Sequence, residues 1–376
     1  MKVRYISDLE SLEQLSEEER RRLAPVADRY AFRLNDYYAR LINWSDPNDP
    51  IRRLVIPQSE ELVAWGDLDA SGEVDYTPVR GCQHKYSDTA LLLVNEVCGA
   101  YCRYCFRKRL FMNDNDDASM DYSKGLAYIA EHEEITNVLL TGGDPLILST
   151  RRLGQIFSDV SAVPHVRIIR IGTKMVAFNP FRVLDDPELL SLIREYCEGG
   201  TQIYLMNHFD HPRELTPQAR EALRLLLEAG AQIVNQCPII RGVNDRPQIL
   251  GTLFRELSFE GCPPYYVFQG RPTAGNKPYE VPIVEGWRIF IEANRHISGL
   301  AKRARFVMSH HTGKLEICGI DGRYIYFRYH RAHRPEDYGR MLITLRDDQA
   351  YWLDQLTVVS GPASAIKAAA HFNPHG

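Results

Sequence analysis

Three cysteines stand close together at Cys98, Cys102 and Cys105, in a CxxxCxxC spacing directly behind the apolar run Ala90–Val94. Structural zinc and iron-sulfur clusters normally take four protein ligands, and no second cysteine pair follows here. Three thiolates on one short loop fill three corners of a [4Fe-4S] cube and leave the fourth iron open to an outside ligand. An open coordination position marks a metal site built for chemistry. Arg107, Lys108 and Arg109 come next, and their charge would stabilise an electron-rich centre. The competing readings are a zinc knuckle with His84 as fourth ligand, or three buried cysteines with no metal.

Chemistry on such a loop needs a rigid frame. Six short apolar runs appear at Ala90–Val94, Thr136–Leu140, Val166–Ile171, Gln202–Met206, Gln232–Val234 and Pro264–Phe268. Segments of helical period separate them, among them Leu153–Val160, Pro187–Arg194 and Gln218–Leu227. Alternating strand and helix predicts an α/β fold of right-handed βαβ units on a parallel sheet, and six repeats predict a partial TIM-type (β/α)6 barrel. The site of such a barrel lies at the carboxyl ends of its strands. Those ends carry the cysteine loop, Thr141-Gly142-Gly143-Asp144-Pro145, Arg170–Lys174, Asn207–His211, Asn235-Gln236 and Gln269–Gly275. Each is polar, glycine-containing or both, which predicts one active site at the barrel mouth. Glycines at 142 and 143 let backbone approach a ligand, and Asp144 can accept from an ammonium. A bare Gly-Gly-Asp is otherwise an ordinary turn.

The cysteine loop resembles that of the radical S-adenosylmethionine (SAM) superfamily. With Gly142-Gly143-Asp144 in place, the chain is similar to the lysine 2,3-aminomutases, as a divergent member, from about residue 20 to about residue 320. The resemblance implies a barrel of the radical SAM kind and a [4Fe-4S] cluster on Cys98, Cys102 and Cys105 whose open iron takes SAM. It implies Gly142, Gly143, Asp144, Thr173, His208 and Gln236 around SAM, and Tyr104 against the adenine. The activity implied is a 5′-deoxyadenosyl radical that takes hydrogen from an amino-acid substrate, with Arg107 on the substrate carboxylate. Lys314 stands where the family lysine bonds pyridoxal phosphate (PLP), and Lys85 where one cation meets the PLP phosphate. A flavodoxin or ferredoxin is the implied electron donor.

The departures are specific. The segment Phe306–Lys314 reads His-His-Thr-Gly where the family has a glycine run, and Thr89 stands where a second phosphate-binding cation belongs. Arg271 and Ser309 hold the places of two aspartates that bind the distal ammonium in lysine-specific enzymes. An arginine there repels lysine and suits an anionic end. The expected function is therefore a 2,3-aminomutase-type isomerase for an amino acid other than free lysine. The alternatives are a PLP-independent radical SAM dehydrogenase or epimerase on an anionic or amino-acid-like substrate, and a non-catalytic metal-stabilised binding module.

The chain has 376 residues, 44% hydrophobic and 25% charged, as expected of a globular protein. A net charge of -4 gives no case for nucleic acid or an anionic membrane. No apolar run approaches the ~20 residues of a membrane span, and the N-terminus lacks a signal-peptide core. Eight scattered cysteines argue against a disulfide framework, so a reducing cytoplasm is expected. The expected organisation is a helical region and connector over 1–80, the barrel over 81–300, and an extension over 301–376. Within the first, Asp8–Leu15 and the capping box at Ser16 predict helices, and 44–50 a loop. The extension is expected to hold a β-hairpin around Asp321-Gly322, a small helical cap with Trp352 and Leu356, and a frayed tail at 362–371. No cysteine follows Cys318, so any homo-oligomer is expected to form without a zinc clip.

Overall fold

Helix caps and hydrophobic period decide most element boundaries in the computed structural model, which describes residues 2–112 and 121–365. Tyr5–Ile6 (β1) and Leu34–Asn35 (β2) form a small antiparallel sheet. The remaining strands form one twelve-stranded sheet in sequential order. They are β3 (Cys82–Tyr86), β4 (Thr89–Asn95), β5 (Asn137–Gly142), β6 (Ile168–Thr173), β7 (Gln202–Asn207) and β8 (Gln232–Pro238). Then come β9 (Pro264–Phe268), β10 (Arg305–His310), β11 (Gly313–Ile320), β12 (Tyr324–Ala332), β13 (Met341–Leu345) and β14 (Val358–Ser360). β4 to β10 run parallel, and the flanking pairs are antiparallel. The fold is thus mixed α/β with a large, mostly parallel sheet.

Each parallel crossover carries a helix, at Ser123–Ala130, Thr150–Ser161, Pro187–Glu198, Pro217–Glu228, Pro247–Phe259 and Ile283–Arg295. Their starts follow from local chemistry. Ser149, Asp186 and Thr216 each accept a backbone N–H of the first turn, and Pro187 and Pro217 occupy the first helical position, where no N–H is missed. The helices bury stripes such as Leu153, Ile156, Phe157 and Val160 against the sheet. β4 is buried at every position but Leu91, as a parallel strand covered on both faces should be.

Four expectations are corrected. Asp8–Leu15 is a chain of turns rather than a helix: Asp8 Oδ1 takes the Ser11 N–H at 2.8 Å, and this Asx bond competes with the helical ladder. Leu9, Leu12 and Leu15 are buried all the same. The capping box at Ser16 does open a helix, Glu17–Arg29. Second, β10 is a further parallel strand, so the segment before Lys314 is a strand and a tight His311-Thr312 turn, not a loop. Third, the segment with Trp352 and Leu356 holds a 3-10 turn at Leu353–Gln355 between β13 and β14 rather than a helix, and helical backbone comes only at 363–365; Trp352 and Leu356 are buried in the main core. Fourth, the N-terminal region is more than the helical region and connector expected over 1–80. A second core joins Leu12, Leu23, Leu34, Tyr38 and Leu54 to Ala100 and Phe178, with Cys102 and Tyr104 packed on its edge. The hairpin expected around Asp321-Gly322 is present between β11 and β12. The tail beyond 365 lies outside the described residues. Among those described, no helix is long and apolar enough to cross a membrane.

Candidate active site

The cysteine loop leaves β4 and is held from outside by the N-terminal region. Arg33 Nε donates to Cys98 O at 2.9 Å, and Asn35 Nδ2 donates to Gly99 O at 3.0 Å and Phe178 O at 2.9 Å. Arg103, buried within the loop, makes a two-pronged pair with buried Glu61, its Nη2 lying 2.7 Å from Oε2. Cys98, Cys102 and Cys105 are all free. Burial pushes each thiol up, and the neighbouring cysteines push Cys98 and Cys102 further, so the three lie in one another's field. Lys174 counteracts this at Cys102, and the Arg107 N–H, Lys108 and Arg107 do so at Cys105. Metal ligation removes the cost by deprotonating a thiol outright. Three thiols on one loop, lying in one another's field and flanked by cations, suit an iron-sulfur cube. His84 is not a fourth ligand: its nitrogens face Tyr128 Oη at 2.9 Å and Ser87 O at 3.2 Å.

The Gly-Gly-Asp turn after β5 is pressed against the base of this loop. Gly142 has φ +112°, and a Cβ there would lie 2.4 Å from Asn95 O. One on Gly143 would lie 2.5 Å from Val97 N. The glycines are needed by the loop's own backbone, whatever else they touch. Asp144 accepts from Leu146 N at 3.0 Å, Thr173 Oγ1 at 2.8 Å and Lys174 N at 2.7 Å. Burial pushes its carboxyl up to about 6 against these donors. Asp144 and Thr173 thus tie the end of β5 to the end of β6.

The end of β7 is tied in by Lys174, whose Nζ lies 2.7 Å from Asp210 and 2.6 Å from Glu214. Burial opposes the charge on Lys174, but these two carboxylates hold its pKa above the ordinary lysine value. Tyr104 donates its hydroxyl to Asp210, and His208 Nε2 stands 3.2 Å from Asp210 Oδ1. Tyr104 and His208 are therefore neighbours. Gln236 lies half-buried on β8, in register with Tyr266.

Arg107 is buried with every direction taken. It reaches Glu73 at 2.8 Å, Thr141 Oγ1 at 3.2 Å and Gln83 Oε1 at 3.1 Å. Glu73 also pairs with Arg109, and despite burial Arg107 and Arg109 hold its carboxyl well below the usual range. Arg271, after β9, stacks on Phe106 of the cysteine loop with Cζ 3.9 Å from the ring centroid and donates to Ser71 Oγ. Lys85 Nζ donates to His310 O at 2.6 Å; burial and the Arg271 charge push it down to about 7. Lys314, on β11, places its amine 4.0 Å from the Tyr266 ring centroid. Burial first, then Arg170, Arg331, Arg271 and Lys85, drive its pKa well below the ordinary lysine value. Among the described residues no carboxylate pairs with it. Ser309 is its register partner on β10.

The structure gathers two groups: Cys98, Cys102 and Cys105 with Tyr104, Gly142, Gly143, Asp144, Thr173 and His208, and Lys314 with Lys85 and Arg271. Sequence reasoning assigned no role to Glu61, Glu73, Lys174, Asp210, Arg170 or Arg331. Lys174 and Asp210 lie within the strand-end segments, a signal that could have found them. Glu61 and Glu73 carry none, since their partners are distant in sequence.

No family model matches the chain. A protein of Aquifex aeolicus (strain VF5), provisionally named L-lysine 2,3-aminomutase, is 57% identical over 357 residues, covering 95% of this chain and 96% of its own. The L-lysine 2,3-aminomutase of Fusobacterium nucleatum subsp. nucleatum is 34% identical over 80% of this chain and 70% of its own. The glutamate 2,3-aminomutase of Clostridioides difficile (strain 630) is 32% identical over 79% and 70%.

Proposed function

We propose that this chain, which belongs to the lysine 2,3-aminomutase family of radical SAM enzymes, is an isomerase for an amino acid whose far end is anionic rather than ammonium. The family implies an iron-sulfur cluster and SAM. The strictly sequential strand order, with no reversal point, supports a partial barrel whose strand ends face the cysteine loop. Bound together, the cluster, SAM and PLP supply a radical that removes hydrogen and a carrier across which an amino group moves to the next carbon. The chain's own residues bind, orient and exclude water. Cys98, Cys102 and Cys105 would hold the cluster, with Lys174 and Arg107 supplying positive charge beside it. The shelf of Gly142, Gly143 and Asp144, with Thr173, His208, Gln236 and Tyr104, would receive SAM. Lys314 would hold PLP, because burial and surrounding cations favour the neutral amine, the form that attacks an aldehyde, while Tyr266 and Phe268 shield it.

The observation that carries the substrate class is Arg271. It is the arginine with donors to spare, since Arg107 is saturated by Glu73, Thr141 and Gln83. Fixed on Phe106 and Ser71, it presents a planar cation suited to a carboxylate. The test is anaerobic turnover with reductant, SAM and PLP on a panel including glutamate and lysine, reading 5′-deoxyadenosine and β-amino product by mass spectrometry. Product from an acidic amino acid and none from lysine is expected; turnover of lysine overturns the substrate reading. SAM cleavage with no borohydride-trapped pyridoxyl group on Lys314 would leave the PLP-independent dehydrogenase or epimerase in its place.

A further inference from the structure

Position 89, where the family resemblance calls for a cation, holds Thr89, but the structure brings a cation to it from elsewhere. Arg331 on β12 places Nη1 3.3 Å from Thr89 Oγ1 and its Cζ 4.3 Å from the centroid of the Tyr86 ring. Lys85 Nζ lies 5.8 Å from the centroid of the same ring. Lys314 and Arg331 are register partners on neighbouring antiparallel strands, so the guanidinium stands beside the amine proposed to hold PLP and favours its neutral form. Arg170, on β6, adds a half-buried guanidinium to the same field, with Asn137 Oδ1 3.4 Å from its Nη1. Of the carboxylates that act on this cluster, Asp88 pairs with Arg331 but is half-exposed, and buried Glu73 acts on Lys85 while paired with Arg107 and Arg109. A chain that places Lys85, Lys314, Arg170 and Arg331 together is arranged for an anion that arrives with a ligand.

We infer that Arg331, oriented by Thr89 and Tyr86, supplies the cation missing at position 89 and, with Lys85, binds the phosphate monoester of PLP. The inference rests on the proposal that Lys314 holds PLP. A guanidinium presents a two-pronged fork to phosphate oxygens, and Thr89 is small enough to leave room for it where a second long side chain would not.

The test uses the full-length protein freed of PLP by dialysis, titrated spectroscopically with PLP and with pyridoxal, which has the aldehyde but no phosphate. Arg331→Gln should weaken PLP binding by roughly 10- to 100-fold, the worth of one or two charge-assisted hydrogen bonds, and leave pyridoxal unchanged. Adding Thr89→Arg to Arg331→Gln should restore most of the PLP affinity, which a merely structural loss on β12 would not allow; circular dichroism and Arg331→Lys control for folding. Unchanged PLP affinity in Arg331→Gln, with the borohydride adduct still at Lys314, overturns the inference alone. So does a variant that spares PLP but raises KM for an anionic substrate, since the cations would then serve a substrate carboxylate. Absence of any adduct in the unaltered protein overturns the PLP reading itself.

Discussion

Two basic regions sit in this molecule, and they are built on opposite plans. Around the cysteine loop the buried cations are matched: Arg103 with Glu61, Arg107 with Glu73, which also takes Arg109, and Lys174 with Asp210 and Glu214. Around Lys314 the cations stand together, with half-exposed Asp88 on Arg331 at the rim and Glu73, already paired with Arg107 and Arg109, acting on Lys85. A buried ion pair is tolerable when its charges cancel, and an unmatched buried charge is costly. The first plan therefore describes a finished framework. The second describes a receptacle whose counter-charge comes with the ligand. Burial differs in the same sense: Arg103, Arg107 and Lys174 are buried, whereas Lys85, Arg170, Lys314 and Arg331 are half-buried and open to a ligand.

The comparison is broken most severely if the two regions fail to act independently. Cys102→Ala should abolish both iron-sulfur absorbance and 5′-deoxyadenosine formation while leaving PLP capture at Lys314 intact. Lys314→Ala should do the reverse, abolishing the trapped adduct and sparing the iron content. Absorbance spectra and mass spectrometry of the two proteins decide it.

Next in size is a stability contrast of opposite sign. Glu61→Gln strands buried Arg103 without its partner and should cost about 3–5 kcal/mol in chemical denaturation. Lys314→Met removes an amine that no carboxylate pairs with among the described residues and that sits beside Arg331, and should leave ligand-free stability unchanged or raised. If both variants lose stability alike, the receptacle description is wrong.

A smaller effect comes from the ligand. PLP at a hundredfold its Kd should stabilise the protein by about 2.7 kcal/mol, read as an upward shift in Tm, whereas pyridoxal at the same concentration should shift it less. The smallest expected effect is a pH dependence through Lys85. Its folded pKa is pushed down to about 7 from 10.5, so between those values the native chain holds fewer protons than the unfolded one. Ligand-free stability should then rise with pH across that window. Affinity for inorganic phosphate should fall as pH climbs through 7, because the charged amine is lost. Lys85→Met should flatten both trends.

Much of this was legible along the chain because it depends on short-range chemistry. Strands from β4 to β9 and their crossover helices follow from apolar runs, caps and prolines within a few residues of each boundary. β10 was missed because Phe306–His310 is brief and ends in histidines, so its strand character comes from pairing with β9 and β11. The leucines of Asp8–Leu15 showed burial correctly and helix incorrectly, since a single Asp8–Ser11 bond decided the local geometry. Asp144 could be read as a ligand carboxylate from its motif. Only its three backbone and side-chain donors show it to be a strut between strand ends as well.

What the order of amino acids determines here is which chemistry can be attempted: three thiols at a fixed spacing, a lysine in a given register, alternating elements that bring strand ends to one side. These are properties of neighbours in the chain. Which charges cancel is decided by folding, because Glu61 meets Arg103, Glu73 meets Arg107 and Arg331 meets Thr89 across separations that no local pattern encodes. Electrostatic energy depends on distance in space and on the water excluded between charges, and both exist only once the sheet has assembled.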